Sequence, residues 1–319
     1  MGNQNYVQSK CCRKSGWLPL LLVHVLPVLL IYITMFVPNR RTTVRSYDAM
    51  LAAIAVMEVL FLFQYIRCLR RGGCTTGPLD IVTFIWIFMI IWELCTSVYN
   101  IAHPVLVPCP ENVFDTFVGQ RRIMCLNVVY SMELLVIGYI SGLFLAVVLG
   151  MIAGWIPRIR DFAVPIANIM APIPAIVISP YLVSLMPTFR SASLAVIILG
   201  VFWPNFLSTM IRIQNIEPQI LDSARMLQPD TWTMITRILF PYLLPGIVSG
   251  LRVSLTTSLL MLNFAELMGA SHGMGYFVQN SITYANYTHA VAGIICIGIV
   301  VTVLNMLVVK VQKTAIRWY

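Results

Sequence analysis

Eight apolar runs, each long enough to cross a membrane as a helix, restrict this chain to a narrow group of folds. A bilayer core takes about 20 apolar residues in a helix, and only helices and closed barrels satisfy their backbone groups there. With 59% hydrophobic and 10% charged residues, the chain is not an ordinary soluble domain. We therefore predict an all-α, polytopic integral membrane protein with about eight transmembrane helices. The runs lie at residues 17–37, 49–66, 79–101, 126–153, 162–186, 192–212, 242–265 and 288–309.

The distribution of lysine and arginine predicts how these helices are oriented. If the N-terminus is cytoplasmic, fifteen of the twenty-one cationic residues fall on the cytoplasmic side, as the positive-inside rule requires. They lie near the N-terminus and at 67–71, 158–160, 212–252 and 310–317. We predict that both termini are cytoplasmic. The same bias explains the net charge of +9, so the charge gives no reason to expect nucleic-acid binding.

A polar loop, residues 213–241, interrupts the apolar pattern late in the chain. Two short amphipathic helical patterns lie within it, separated by a turn at Gln228-Pro229-Asp230, because the residue before a proline is pushed out of the helical region. The sequence predicts a helix–turn–helix on a membrane face. Such a stripe is compatible with docking of a partner or with a helix lying in lipid headgroups. The apolar positions are Ile220, Ala224 and Leu227, then Trp232, Ile235 and Leu239.

Short motifs in and around the polar loop are informative through their order and spacing. Within the loop, Asp222-Ser223-Ala224 is followed by Gln228 and then by Pro241. Further motifs are Trp92-Glu93, Pro108-Cys109-Pro110, Ser131 with Gly138, Pro172-Ile173-Pro174, Phe202-Trp203-Pro204, Pro245, Gly250-Leu251-Arg252, Ala265 to Ser271 and Gly273 to Tyr276. With these motifs the chain resembles the permeases of binding-protein-dependent ABC importers. Within them it is similar to the nitrate, aliphatic sulfonate and taurine branch, over residues 85–319.

The resemblance implies a division of the chain into two parts. Residues 79–319 would form the ABC permease domain, a six-helix type I core in which the polar loop is the coupling loop. Residues 1–78, with two predicted transmembrane helices, lie outside the likeness. Their role is open between a packing collar, a hairpin that docks a partner and a poorly constrained extension.

A mechanism and a set of partners also follow from the resemblance. The chain would be the permease subunit of an ABC import system in the bacterial inner membrane, moving a solute by alternating access. A cytoplasmic ABC ATPase dimer would supply energy, an extracytoplasmic solute-binding protein would deliver the solute, and a second permease copy would complete a homodimer. The sequence does not identify the solute beyond the expectation of a small anion.

No cofactor is predicted in this chain, and no enzymatic activity. The sequence has no Gly-x-x-x-x-Gly-Lys loop to cradle phosphates, so ATP and Mg²⁺ would be bound by the partner ATPase. The four histidines are scattered and lack the spacing of metal ligands. Cys109 and Cys125 both fall on the predicted outer side, and a disulfide between them is an open alternative.

Eight residues of the polar loop are predicted to couple the chain to the ATPase. By the resemblance, the apolar residues would be buried at the contact, while Asp222 and Arg225 would fix its register. Two residues depart from the family pattern. Asp222 replaces a glutamate, and Gln228 replaces a glycine that permits a turn with positive φ. The eight are Ile220, Asp222, Ala224, Arg225, Gln228, Trp232, Ile235 and Pro241.

Prolines within two of the apolar runs point to the translocation path. In a membrane, the backbone groups that a proline leaves unbonded need protein or a water-filled path as partner. Lining of the path is therefore favoured over a simple packing kink. For Glu266, at the end of its run, helix termination and a gate contact are both open. The candidates for the path are Pro172, Pro174, Ser179, Trp203, Asn205 and Glu266.

Two other classes of function remain open from the sequence alone. An ion-coupled secondary transporter would use intramembrane acids such as Glu58, Glu93 or Glu133, because a charge within a membrane is costly and usually faces a cavity or a partner. A non-transporting membrane assembly subunit could keep the polar loop and lose the path. Uptake that depends on an ion gradient would identify the secondary transporter. A lack of uptake in reconstituted vesicles would identify the assembly subunit.

Overall fold

The structure, a computed structural model, describes residues 17–41, 47–70 and 76–315, with backbone only for 17–20, 225 and 315. The predicted cytoplasmic placement of the N-terminus concerns residues outside these ranges. Within them the regular elements are helices and no strand occurs. The helices are α1 Trp17–Phe36, α2 Asp48–Arg70, α3 Thr76–Glu93, α4 Pro110–Gly119, α5 Arg121–Trp155, α6 Pro157–Met170, α7 Ala175–Leu185, α8 Phe189–Gln214, α9 Pro218–Met226, α10 Thr231–Thr233, α11 Phe240–Leu267, α12 Met274–Thr283 and α13 Tyr287–Ala315.

The prediction of an all-α membrane protein is confirmed. Among the described residues, six helical segments are long and apolar enough to cross a membrane, and α6 and α7 together form a possible seventh. The remaining predicted run, at 17–37, corresponds to α1, whose apolar part, Leu21–Phe36, is shorter. The run at 162–186 is not one straight helix, because α6 and α7 meet at an angle of 93°. Pro172 and Pro174 lie at that break, where each removes a backbone donor.

The polar loop differs from the predicted pair of short helices. Its first helix, α9, is separate, but its second pattern is continuous with the next membrane helix, so Thr231–Leu267 is one segment. Pro241 does not end this segment because a π-helical turn, Met234–Leu239, precedes it. There the N–H of Phe240 bonds to the carbonyl of Ile235, five residues back, and the wider turn accommodates the proline.

Two compact units are distinguished by their internal contacts. The first comprises the described residues up to 121 together with 281–292. In it α1, α2 and α3 pack around a core that includes Leu30, Ile54 and Trp86. The grouping of α3 and α4 with the N-terminal pair does not test where the permease domain begins, so the boundary at residue 79 stays a prediction.

The second unit, residues 122–280 and 293 onward, is built around α8, which packs on α6, α7 and α11. A seam of small residues on α5 lets α8 approach closely. A Cβ at Gly150 would lie 2.9 Å from the Cβ of Thr209, too close for two carbon atoms. Small residues four apart are typical of tight helix packing in membranes, where burial from water does not drive association. The seam consists of Gly138, Gly142, Ala146, Gly150 and Gly154.

Candidate functional sites in the polar loop and around Glu266

The inner face of α9 is fastened to the membrane helices of the second unit. Ala224 of α9 and Ile216, just before it, are buried with Ile213 at the end of α8. The same hydrophobic cluster contains residues of α5, of the π-helical turn and of α11: Val147, Met151, Met234, Ile235, Leu239 and Leu243. We call this end of the unit the loop end. One cluster therefore joins α9 to three membrane helices, α5, α8 and α11.

The end of α9 and the start of the next helix expose large apolar side chains. Met226 is 86% exposed, Leu227 is 80% exposed and Trp232 is 70% exposed. We call these three residues the tip surface. They lie at the end of α9 and the start of the next helix, on either side of the turn at 228–230. Exposed apolar residues that form a patch commonly mark a contact site for protein or membrane.

The turn between these helices has a defined geometry. Gln228 has φ of +44°, the left-handed conformation that glycine adopts without penalty. The turn thus has positive φ, as the family glycine would permit, despite the side chain. Asp230 then caps the following helix by accepting a hydrogen bond from the N–H of Thr233 at 3.3 Å. Hydrogen bonds with Thr233 lower the pKa of Asp230 from its ordinary value.

The structure separates the predicted coupling residues into two groups. Asp222 and Trp232 are exposed, and Ile220 is partly exposed, so all three are accessible to a partner. Ala224 and Ile235 are instead buried in the chain's own core, which corrects the expectation that they face the ATPase. They fill the space between α9 and the membrane helices. The side chain of Arg225 lies outside the description, and Pro241 lies in the first turn of α11.

Glu266, at the far end of α11, is the centre of a buried hydrogen-bond network. Its Oε1 accepts a hydrogen bond from the hydroxyl of Ser131 on α5 at 2.6 Å. Its Oε2 accepts from the N–H of Gly275 in the first turn of α12 at 2.8 Å. The carboxylate is only 1% exposed. Both oxygens therefore have donors within the protein, and the side chain holds α5, α11 and α12 together.

The same network caps the start of α12. The N–H of Met274 donates to Ser131 Oγ at 2.8 Å, and the N–H of Gly273 donates to Asn127 Oδ1 at 2.9 Å. Three successive backbone donors that the helix itself leaves unsatisfied are thus bonded by side chains of α5 and α11. Gly273 has φ of +126°, and a Cβ at Gly275 would lie 2.5 Å from the carbonyl oxygen of Asn263. Both positions therefore require glycine.

The six predicted path residues lie in separate places of the second unit. Pro172 and Pro174 are exposed at the break between α6 and α7. Ser179 is buried in α7, and its hydroxyl has no hydrogen-bond partner among the described residues. Two of the path candidates, Trp203 and Asn205, lie on α8 and have different surroundings. Trp203 packs against Phe202 and Phe206, and Asn205 donates to Ser254 Oγ of α11 at 3.0 Å.

Glu266 is the path candidate whose surroundings are most fully defined. A network residue buried to this degree does not line an open path in this conformation. Its side-chain hydrogen bonds run to α5 and to the start of α12, and both alternatives for it, helix termination and a gate contact, stay predictions.

Two of the three remaining intramembrane acids, Glu133 and Glu58, have local partners. Glu133 forms an ion pair with Arg190 at the start of α8, so it has a structural partner within the chain. Glu58 of α2 lies 2.5 Å from His24 of α1 in the first unit. Glu93 is fully buried, and neither carboxylate oxygen has a hydrogen-bond partner among the described residues. Cys109 and Cys125 are free thiols, and burial raises the pKa of Cys109.

Comparison with known proteins identifies the group to which these features belong. Residues 146–317, just over half of the chain, match the family model for the "binding-protein-dependent transport system inner membrane component". The chain belongs to this family. The match contains the end of α5, the whole polar loop and the Glu266 turn. This permease is therefore a membrane-spanning subunit of an ABC import system rather than an enzyme, and such systems include an ATPase and a solute-binding protein.

Individual relatives extend the likeness beyond the family model. A protein named as an aliphatic sulfonates transport permease, SsuC of Bacillus subtilis, is 24% identical over 73% of this chain and 84% of its own length. The taurine transport system permease protein TauC of Escherichia coli is 22% identical over 78% and 91%. The nitrate import permease protein NrtB of Leptolyngbya laminosa is 24% identical over 68% and 80%. The resemblance to this branch is confirmed.

Some residues of these sites were not predicted from the sequence. Asn127 and Ser131 lie more than 130 positions from the turn they cap, a separation that helical periodicity does not bridge. The available signals were the three glycines at 269, 273 and 275 and the acid at 266. Arg212 lines a cleft at the loop end, whereas the sequence indicated only that it is one of the cationic residues on the predicted cytoplasmic side.

Proposed function

We propose that this permease imports a small anion by alternating access and that its tip surface docks in a cytoplasmic ABC ATPase. The observation that carries the docking is the exposure of Met226, Leu227 and Trp232 on a loop that is otherwise anchored in the core. A partner that buried them would gain their transfer free energy, about 1.5–3 kcal/mol for each fully buried side chain. Asp222, exposed on α9, supplies a charge beside this apolar surface.

The anchoring of α9 favours a protein partner over lipid headgroups. A helix that lies in headgroups presents its apolar stripe to the membrane. In α9 that stripe includes Ala224, which is occupied by the chain's own core, so the exposed apolar residues point to a second, different contact. A motor gripping the tip surface would act on the cluster shared by α5, α8 and α11.

The proposal includes the orientation and composition of the complex. The cationic residues around the loop favour a cytoplasmic position for it, with both termini on the same side. A second copy of this chain completes a homodimer, and two ATPase subunits bind ATP and Mg²⁺ with their own phosphate loops. Residues 79–319 carry transport, and residues 1–78 are an addition to them.

The class of solute is inferred from the relatives. Those named for a solute carry nitrate, taurine or aliphatic sulfonates, all of which contain an oxyanion group. We therefore assign a small oxyanion to this permease, delivered by a solute-binding protein that selects it.

Substitutions at the tip surface test the docking. Leu227→Ser and Trp232→Ser are expected to weaken co-purification of the ATPase by about tenfold, because large apolar side chains at the centre of interfaces dominate affinity. Ile159→Ser on α6, also at the loop end and also exposed, is the matched control and should have no effect. Amounts of permease in the membrane should be equal for all variants. Full retention of the ATPase by both tip variants would refute the docking proposal.

A further inference from the structure

A cleft of about 540 Å³ lies at the loop end of the second unit, between the last turns of α8 and the first turns of α11. One of its lining residues, Leu243, also belongs to the cluster that anchors α9. The cleft therefore shares a wall with the attachment of the polar loop. Its lining comprises Arg212, Asn215, Tyr242, Leu243, Pro245, Gly246 and Ser249.

The charge of this cleft is carried by Arg212. Among the residues that the structure describes, no carboxylate forms an ion pair with it, and its side-chain hydrogen bond runs to Ser208 Oγ at 3.4 Å. No lining residue is acidic. A guanidinium offers five N–H donors in a planar fork that matches oxyanions. Most of these donors remain available in the cleft.

The position of the guanidinium depends on Gly246. A Cβ at this residue would lie 2.8 Å from Cζ of Arg212 and closer still to Nη1. Glycine at 246 leaves room for the guanidinium to lie against α11. Any larger residue there would displace it.

Two further donors line the same space. The amide of Asn215 and the hydroxyl of Tyr242 are exposed to the cleft's surroundings and have no side-chain hydrogen bond within the described part of the chain. The hydroxyl of Ser249 donates to the carbonyl of Gly246 at 2.8 Å, so its proton is already used. The lining thus combines one cation with neutral donors, a composition that suits an anion and disfavours a cation.

We propose that this cleft is a binding site for a small oxyanion, held by Arg212 with Asn215 and Tyr242. The assignment of its source rests on the proposed function: in the proposed orientation the cleft opens at the cytoplasmic ends of the helices, so the occupant is the imported solute as it leaves. Because Leu243 is shared with the loop anchor, movement of the polar loop changes the shape of the site. The cleft couples release of the solute to the ATPase cycle.

Direct binding to the full-length chain in lipid nanodiscs tests this site without the ATPase or the receptor. The probe is radiolabelled methanesulfonate, a compact sulfonate, measured by scintillation proximity. Arg212→Gln is expected to weaken binding about tenfold or more, since hydrogen bonds to charged groups contribute strongly to affinity. Arg212→Lys should retain part of it, and Gly246→Ala should weaken it while leaving the charge in place. Arg158→Gln, at an exposed position in the first turn of α6, is the control and should bind normally.

Each alternative source of an anion gives a different result. If inorganic phosphate competes at lower concentration than methanesulfonate, the occupant is a free cytosolic anion, and the assignment to solute is overturned. If binding occurs in phosphatidylcholine and disappears in phosphatidylglycerol, the site holds a lipid headgroup, with the same consequence. No binding to the wild type, or equal binding to Arg212→Gln, overturns the site itself. These outcomes are independent of ATPase co-purification, so the docking proposal can stand or fall separately.

Discussion

Gln228 occupies a backbone conformation that costs most residues about 1–2 kcal/mol. The turn at 228–230 keeps this conformation because α9 is held by its core contacts on one side and the cap of Asp230 fixes the next helix on the other. The packing on both sides of the turn therefore offsets the backbone strain at Gln228. The stability of the loop should therefore depend on which residue occupies position 228.

We predict that Gln228→Gly and Gln228→Val have opposite effects on the loop. Glycine relieves the strain, whereas a β-branched residue at φ of +44° is strongly disfavoured and should lower the free energy of local unfolding by about 1 kcal/mol or more. Hydrogen–deuterium exchange of residues 217–230 measures this directly. Equal protection in the two variants would show that the turn does not depend on positive φ.

Removal of the Glu266 carboxylate is predicted to destabilise the second unit. Glu266→Ala leaves the donors of Ser131 and Gly275 buried without partners, at a cost of about 1–3 kcal/mol each, and Glu266→Gln restores one acceptor and should be milder. The midpoint of thermal unfolding in detergent should be highest for the wild type, lower for Glu266→Gln and lowest for Glu266→Ala. Glu133→Gln serves as the control, because its ion pair is about half exposed and such pairs contribute little. An unchanged Glu266→Ala variant would contradict the capping role.

Sequence reasoning at this scale identified Glu266 as an acid at the end of an apolar run but could not assign its partners. A costly intramembrane charge is visible in one sequence, whereas the donors that satisfy it come from α5 and α12 and are fixed only by tertiary packing. The same limit applies to Ala224 and Ile235, whose apolar character predicted burial but not the surface against which they are buried.

At the scale of helices, the small-residue seam of α5 determines how closely α8 can pack. We predict that Gly150→Val prevents normal folding of the second unit, because added atoms would overlap Thr209, and overpacking of this kind costs about 1–3 kcal/mol. Gly250→Val is the control, since a Cβ there meets no atom within 4 Å. Monodisperse yield after purification distinguishes the two. Similar yields would show that α5 and α8 can separate without loss of the fold.

The apolar runs were reliable guides to where helices lie and less reliable guides to their shape. Hydropathy continues through the break between α6 and α7, so the run at 162–186 gave no sign of a 93° bend except through its prolines. At the polar loop, the sequence predicted a break at a proline where the structure has a continuous helix. Pro241 was expected to close the loop, but the π-helical turn before it absorbs the missing donor and the helix continues.

For the whole molecule, we predict that uptake depends on ATP and not on an ion gradient. Reconstituted with its ATPase and receptor, the permease should take up its solute in vesicles treated with a protonophore. Glu58→Gln and Glu133→Gln should retain most of this activity, because both acids have structural partners within the protein. Loss of uptake on collapsing the gradient, with ATP still present, would instead support an ion-coupled transporter.

Fold class and family follow from the sequence because they depend on composition and on motif order, which a single chain displays. The grouping of α3 and α4 with the N-terminal helices, and the identity of the solute, do not. The first depends on contacts between distant segments, and the second depends largely on a separate receptor.

The uninterrupted segment from Thr231 to Leu267 has a mechanical consequence. Its 37 residues, at about 1.5 Å each, make a rod about 55 Å long, with exposed Trp232 at one end and buried Glu266 at the other. A tilt of only about 5° at one end would swing the other by about 5 Å. A movement of the Trp232 end can therefore displace the Glu266 end through one continuous helical segment.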